Sequence, residues 1–123
     1  MSRAVHERID MAVFAAAPGF ARASVRLAGI DPGRAGAQAA ALLRQAARAA
    51  AARPAGDVPR WTMAYEAVGL AAETPSPIEA LRAWASAPGG VPIQGAVNDL
   101  VHATALRYLV PAVAYVLARV EGD

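Results

Sequence analysis

The stretch AGAQAAALLRQAARAAAAR, residues 35–53, decides how the rest of the chain is interpreted. At about 100° per residue, alanines and Leu43 fall on one half of a helix and the polar side chains on the other. The polar set is Arg34, Gln38, Arg44, Gln45 and Arg48. The pattern predicts a helix that packs closely through its alanine face and ends at Pro54-Ala55-Gly56. A low-complexity linker is the alternative.

A second helix is predicted after the proline–glycine break. Asp57 is placed to cap it, Trp61, Tyr65 and Val68 recur at helical spacing, and Gly69 closes it. Aromatic residues at this spacing favour burial in a core, although an exposed aromatic ring is also a surface on which nucleic-acid bases stack.

The tetrapeptide SPIE, residues 76–79, is the strongest local signal in the chain. Ser76 caps a third helix, proline takes its first position, and Glu79 completes a capping box. Leu81 and Trp84 then form its inward face.

A fourth helix is predicted over residues 97–109, before Pro111. Its predicted inward face consists of Val97, Leu100, Val101, Thr104 and Tyr108. Asn98, Asp99 and His102 then lie on its flank. They form either a polar site or the solvated side of an ordinary core helix.

Two further segments have strand patterns. Residues 21–29, ARASVRLAG, alternate apolar and polar side chains, which predicts a half-buried strand. Residues 112–116, AVAYV, predict a strand buried on both faces. We therefore expect one α+β domain over residues 1–123, rich in helix, with about four helices and a small number of strands.

Composition excludes several classes of protein. There is no cysteine, so disulfide bonds and thiolate chemistry are excluded. All twelve basic residues are arginine and the net charge is +2, which permits contact with nucleic acid but does not require it. His6 and His102 are far apart and give no metal-binding pattern. We expect no metal, no cofactor and no membrane span. With no apolar signal segment at the N-terminus, we expect a cytoplasmic protein.

Four motifs stand in order along the chain: IDMAVFAAAPGFARASVRLAGID (9–31), WTMAYEAVGL (61–70), SPIEALRAW (76–84) and VNDLVHATALRYLVPAVAYVLARVEGD (97–123). Their order and spacing resemble the B3/B4 tRNA-editing domain of the phenylalanyl-tRNA synthetase beta subunit, and free-standing proteins built on that domain even more. The resemblance covers nearly the whole chain but only about the first half of the family's larger domain.

The resemblance implies a partial B3/B4-like fold and a tRNA partner. It also implies a pocket that hydrolyses tyrosine from mischarged tRNA, but this chain departs from the family at the pocket. Gly95 and His102 stand where the family has asparagine, Val113 where the synthetase has histidine, and Val116 where it has aspartate. We therefore expect little or no hydrolytic activity.

The candidate site residues form two groups. Asp99 and His102 are three residues apart on one helix and could form a minimal general-base unit, with Asn98 as a further candidate beside them. Arg22, Arg26 and Arg34 could form a modest phosphate-contacting patch; a solvated strand face is the competing interpretation.

Three functions follow in order of preference. The first is a non-catalytic module that binds tRNA or aminoacyl-tRNA. The second is an interaction or remnant protein that needs a partner chain or a second copy to cover the uncharged stretch 109–118. The third is an aminoacyl-tRNA hydrolase that edits in trans.

Overall fold

The computed structural model describes residues 4, 6–54, 56, 58–70, 76–116 and 119 of the chain. These residues form five helices: α1 (Met11–Ala16), α2 (Pro32–Ala52), α3 (Val58–Ala67), α4 (Pro77–Ser86) and α5 (Ala96–Tyr108). Helix α2 packs along α5 and less extensively against α4, which also contacts α3 and α5. The core therefore lies among α2, α4 and α5.

The expected α+β class is wrong, because the described residues contain helices and no strand. Residues 21–28 and 110–116 have no regular structure, and their apolar side chains, such as Val25 and Val113, are mostly exposed. A strand needs a neighbour to satisfy its backbone N–H and C=O groups, and two strands alone are marginal. The strands implied by the resemblance to the B3/B4 domain are therefore absent from the described residues as well. Residues 117 and 118, at the end of the uncharged stretch, lie outside the described residues.

Helix α2 confirms the predicted helix and begins three residues earlier than expected. The cap lies just before the helix: Asp31 Oδ1 accepts from the backbone N–H groups of Gly33 and Arg34 at 3.1 and 3.4 Å. Pro32 occupies the first helical position, which its fixed φ angle suits. The inward face consists of Ala39, Ala40, Leu43, Ala46, Ala47 and Ala50.

Helix α5 is present where predicted, but it buries a different face. Val97 and Tyr108, predicted to point inward, are exposed, and Thr104 is exposed as well. The buried set is Ala96, Asp99, Ala103, Ala105 and Leu106. The distance between packed helices depends on the side chains at their contact, so alanines on both sides allow α2 and α5 a close approach. Val97, Thr104 and Tyr108 are left on the outside, and Leu106 is the one large apolar side chain among the buried residues of α5.

The ends of α3 and α4 follow the predicted signals in part. Gly69, with φ of +86°, ends α3, and the Leu70 N–H donates to the Tyr65 carbonyl at 3.0 Å. Ser76 Oγ accepts from the Glu79 N–H at 3.3 Å, which confirms the cap of α4. The Glu79 carboxylate accepts from Thr62 Oγ1 at 2.9 Å and so ties α4 to α3. Asp57, predicted to cap α3, lies outside the described residues.

Side chains from α3 and from the end of α2 bond to carbonyls at the C-terminal end of α5, and a side chain of α4 bonds to the end of α2. Arg53 donates to the carbonyls of Leu106 and Arg107 at 2.7 and 3.2 Å, and Trp61 Nε1 donates to the Leu109 carbonyl at 3.1 Å. Arg82 in turn donates to the Arg53 carbonyl at 2.9 Å. These bonds satisfy carbonyls that a helix end leaves unpaired, so Arg53 and Arg82 have structural roles.

Candidate nucleic-acid interface and a pocket beside His102

The three polar residues of α5 are not brought together as a site. Asn98 is exposed, Asp99 is completely buried, and His102 is half-buried. Asp99 Oδ2 and His102 Nδ1 are both buried, and neither has a hydrogen-bond partner. The Asp–His hydrogen bond that a general-base unit requires is therefore not made.

Asp99 instead organises the entry to α5. Its Oδ1 accepts from the Gln94 N–H at 2.9 Å, while Gly95, with φ of +116°, turns the chain into the helix. Gly95 provides no side-chain cap there, and the carboxylate of Asp99 lies in the first turn, where negative charge suits the helix dipole. The geometry favours a structural role for Asp99.

His102 lines a small pocket between α4, α5 and the segment after α5. The cavity measures about 120 Å³. Its lining consists of Pro77, Ile78, Ala80, Leu81, Trp84, His102, Ala105, Pro111 and Ala112. His102 and Trp84 provide the two aromatic rings of this lining, and the other members are aliphatic. The pocket is thus a mostly apolar space with two nitrogen-bearing rings in its wall, an imidazole and an indole.

The predicted arginine patch is divided between two environments. Arg22 donates to Glu7 at 2.9 Å, and Glu7 also accepts from Ser24 Oγ at 2.7 Å, so the charge of Arg22 is already paired. Arg26 also interacts within the chain. Both lie in the exposed segment 21–28, whereas Arg34 lies in the first turn of α2.

Helix α2 carries a longer basic surface, of which the predicted patch includes only Arg34. Arg34, Arg44 and Arg48 are all exposed and lie opposite the buried alanine face, with Gln38 and Gln45 among them. No aspartate or glutamate occurs within α2. We call these five residues the α2 basic face. The helical periodicity of the sequence already places these five side chains together.

The three aromatic residues predicted to lie in the core have different environments. Trp61 packs against the core and donates its indole N–H to a carbonyl. Tyr65 is half-buried, and the loss of hydration raises the pKa of its hydroxyl above the ordinary value of 10.0. Trp84 is 48% exposed, so its predicted burial is wrong and its ring is available for contact.

The described residues also bear on metal binding and on membrane spanning. Among them, histidine and acidic side chains form no group of three or more that could hold a metal ion. No helix in the same part of the chain has the length and apolar character needed to cross a membrane.

No protein-family model, curated protein or solved structure matches the chain.

Proposed function

We propose that the chain is a cytoplasmic, non-catalytic module that binds tRNA or aminoacyl-tRNA through the α2 basic face. Three arginines on an exposed helix without carboxylates carry the proposal. A planar guanidinium donates two parallel hydrogen bonds to a phosphate and stays charged at any physiological pH.

The dimensions of the α2 basic face suit a phosphate backbone. Fourteen residues separate Arg34 from Arg48, which at about 1.5 Å per residue is roughly 21 Å along the helix axis. Arg44 and Arg48 are four residues apart and so lie side by side on the surface. Because the opposite face is buried against α5 and α4, the helix cannot turn these arginines away from solvent.

The choice of tRNA rests on the resemblance of the four sequence motifs to an editing domain that acts on tRNA. The absence of catalysis is supported by the separation of Asp99 from His102 and by Gly95 and Val113 at positions where the resemblance requires polar side chains. Losing one positioned donor commonly lowers catalytic rates by about 100-fold or more.

The test is binding of fluorescently labelled tRNA at low and at physiological salt. With three phosphate contacts, we expect the logarithm of the affinity to fall with the logarithm of salt concentration at a slope of about three. The double variant Arg44→Gln/Arg48→Gln should reduce that slope by about two, because each lost phosphate contact removes about one unit.

The matched control is Arg22→Gln/Arg26→Gln, which removes the same charge from the segment where Arg22 is paired with Glu7. It should change the salt slope by less than one unit. If the folded wild-type chain binds no tRNA at low salt, or if the two double variants weaken binding equally, the α2 basic face is not the binding surface.

A second candidate is an interaction protein that associates with a second copy or a partner chain. One observation favours it: Val113, Tyr115 and Val116 are neighbours in an extended, uncharged segment, and all three are mostly exposed. An exposed apolar segment of this kind is typical of a contact surface.

A further inference from the structure

The pocket beside His102 has the size of a single ring. At about 120 Å³, it is slightly smaller than an engineered cavity of roughly 150 Å³ that holds benzene. Its floor is the apolar core, formed by Ile78, Leu81 and Ala105. A ligand with one flat ring fits in a cavity of this volume, whereas a long flexible ligand does not.

Trp84 gives this pocket a stacking surface. It lies on α4, lines the cavity and is half-exposed, whereas the other tryptophan, Trp61, is held against the core by its hydrogen bond to Leu109. Unstacked nucleic-acid bases bind to proteins by lying against such aromatic rings. An indole at the wall of a ring-sized cavity is the arrangement this binding needs.

His102 gives the pocket a hydrogen-bonding group without a partner. Its Nδ1 is buried and makes no hydrogen bond. Because this atom is closed to solvent as the ring stands, a ligand in the pocket bonds to it only when the imidazole turns about its Cβ–Cγ bond, and a partner gained in this way removes the cost of burying the atom unpaired. An imidazole nitrogen donates or accepts according to its protonation, and the Watson–Crick edge of every nucleobase carries both a donor and an acceptor. A purely apolar ring would leave the imidazole unpaired.

We propose that this pocket binds one unstacked nucleobase of a single-stranded RNA segment, stacked against Trp84 and hydrogen-bonded to His102. The inference rests on the proposed RNA-binding function and deepens it, because it names the part of the RNA that is recognised. The net positive charge and the α2 basic face attract the phosphates, and the pocket takes a base.

The test uses the four neutral nucleosides, adenosine, cytidine, guanosine and uridine, with tryptophan emission as the signal. The chain has two tryptophans, so Trp61→Phe leaves Trp84 as the sole reporter. Excitation at the red edge of indole absorption avoids the bases. We expect at least one nucleoside to quench Trp84 saturably, and Trp84→Phe, which keeps Trp61, to show no saturable quenching.

Substitution of His102 separates a hydrogen bond from simple stacking. In the Trp61→Phe background, His102→Ala should weaken nucleoside binding about fivefold or more, the lower end of the effect expected for a base contact. Thr104→Ala is the matched control, since Thr104 is on the same helix, exposed and outside the pocket. If Trp61→Phe unfolds the chain, the two indole N–H signals in the nuclear magnetic resonance spectrum of the wild type distinguish the tryptophans directly.

Three results would overturn the pocket proposal: no saturable quenching of folded protein, equal effects of His102→Ala and Thr104→Ala, or stronger quenching by toluene than by every nucleoside. Failure of the pocket is distinguishable from failure of the RNA-binding function, because the pocket and the basic face lie on different helices. tRNA binding that is sensitive to Arg44→Gln/Arg48→Gln but insensitive to His102→Ala rejects the pocket alone. Nucleoside quenching without tRNA binding rejects the basic face alone.

Discussion

The helical core and the two segments without regular structure, 21–28 and 110–116, contain similar apolar side chains in opposite environments. Leu43, Ile78 and Leu106 of the core are at most 1% exposed, whereas Val25 in segment 21–28 and Val113 in segment 110–116 are 83% and 64% exposed. Burial of a leucine, isoleucine or valine side chain away from water lowers the free energy of the folded protein in each case. Hydrophobicity alone therefore does not decide which segment is packed.

The difference lies in where each backbone finds its hydrogen bonds. A helix satisfies its own N–H and C=O groups along most of its length, so it is complete before its apolar face meets a neighbour. An extended segment depends on a second strand, and the described residues provide none. The helices α2, α4 and α5 could thus assemble around alanine faces, while equally apolar extended segments remained on the surface.

The largest expected effect comes from one substitution made in both regions. Leu106→Ala removes a buried side chain from the core and should lower the free energy of unfolding by about 3 kcal/mol, within the usual range of about 2–5 kcal/mol. Leu27→Ala changes an exposed side chain of segment 21–28 and should alter it by no more than about 0.5 kcal/mol. Urea unfolding followed by circular dichroism measures both.

The same two variants can also contradict this difference between core and surface. A loss of more than about 1 kcal/mol for Leu27→Ala would mean that segment 21–28 is packed in solution. A loss below about 1 kcal/mol for Leu106→Ala would mean that the packing of α5 against α2 contributes little.

The helices were predictable because their signals are local. The polar and apolar halves of α2, the Ser76 cap and the Gly69 stop all follow from residues within a few positions of one another. The buried face of α5 was not predictable in this way. Large side chains such as Val97 and Tyr108 were expected on the buried face of α5. The alanine face of α2, which is distant in sequence, packs mainly against small residues instead.

The candidate site also has one part that follows from local sequence and one part that does not. The α2 basic face could be found from sequence, because periodicity alone places Arg34, Arg44 and Arg48 opposite the alanines. The pocket could not, because it joins α4, α5 and the following segment, and the open position of Trp84 depends on that tertiary arrangement. The partial pairing of Arg22 with Glu7, fifteen residues apart, is a contact of the same nonlocal kind.

The next expected effect concerns association through segment 110–116. If this segment finds a neighbour in a second copy, light scattering over a concentration series should show a mass above that of the 12.6 kDa monomer. Tyr115→Lys should return the protein to the monomer, because it places a charge within an apolar contact. Met63→Lys, at an exposed position of α3, is the matched control and should leave the mass unchanged.

A monomeric wild type at every concentration would remove this association and leave the segment as an exposed end of the helical core. A monomer produced equally by Met63→Lys would show that added charge alone, rather than the position of Tyr115, prevents association.

The smallest expected effect distinguishes a tyrosine of the helical region from one of the extended segment. Burial raises the pKa of Tyr65 above its ordinary value, which means that the folded protein holds this proton more tightly than the unfolded chain. Its contribution to stability is complete below the unfolded pKa of about 10 and is lost as the pH rises through that value towards the folded pKa. Tyr115 is exposed, so its hydroxyl is hydrated before and after unfolding.

Unfolding by urea in a pH series from about 9 to about 11 spans the range in which the unfolded tyrosine loses its proton. Tyr65→Phe removes the ionising hydroxyl, so the stability of that variant should fall less steeply with rising pH than that of the wild type. Tyr115→Phe should follow the wild-type slope. Since α3 joins the core through Trp61 and Thr62, the slope of the Tyr65 variant reports whether α3 stays docked. Parallel slopes for all three proteins would mean that Tyr65 is hydrated in solution, and α3 would then belong with the loosely held extended segments rather than with the core.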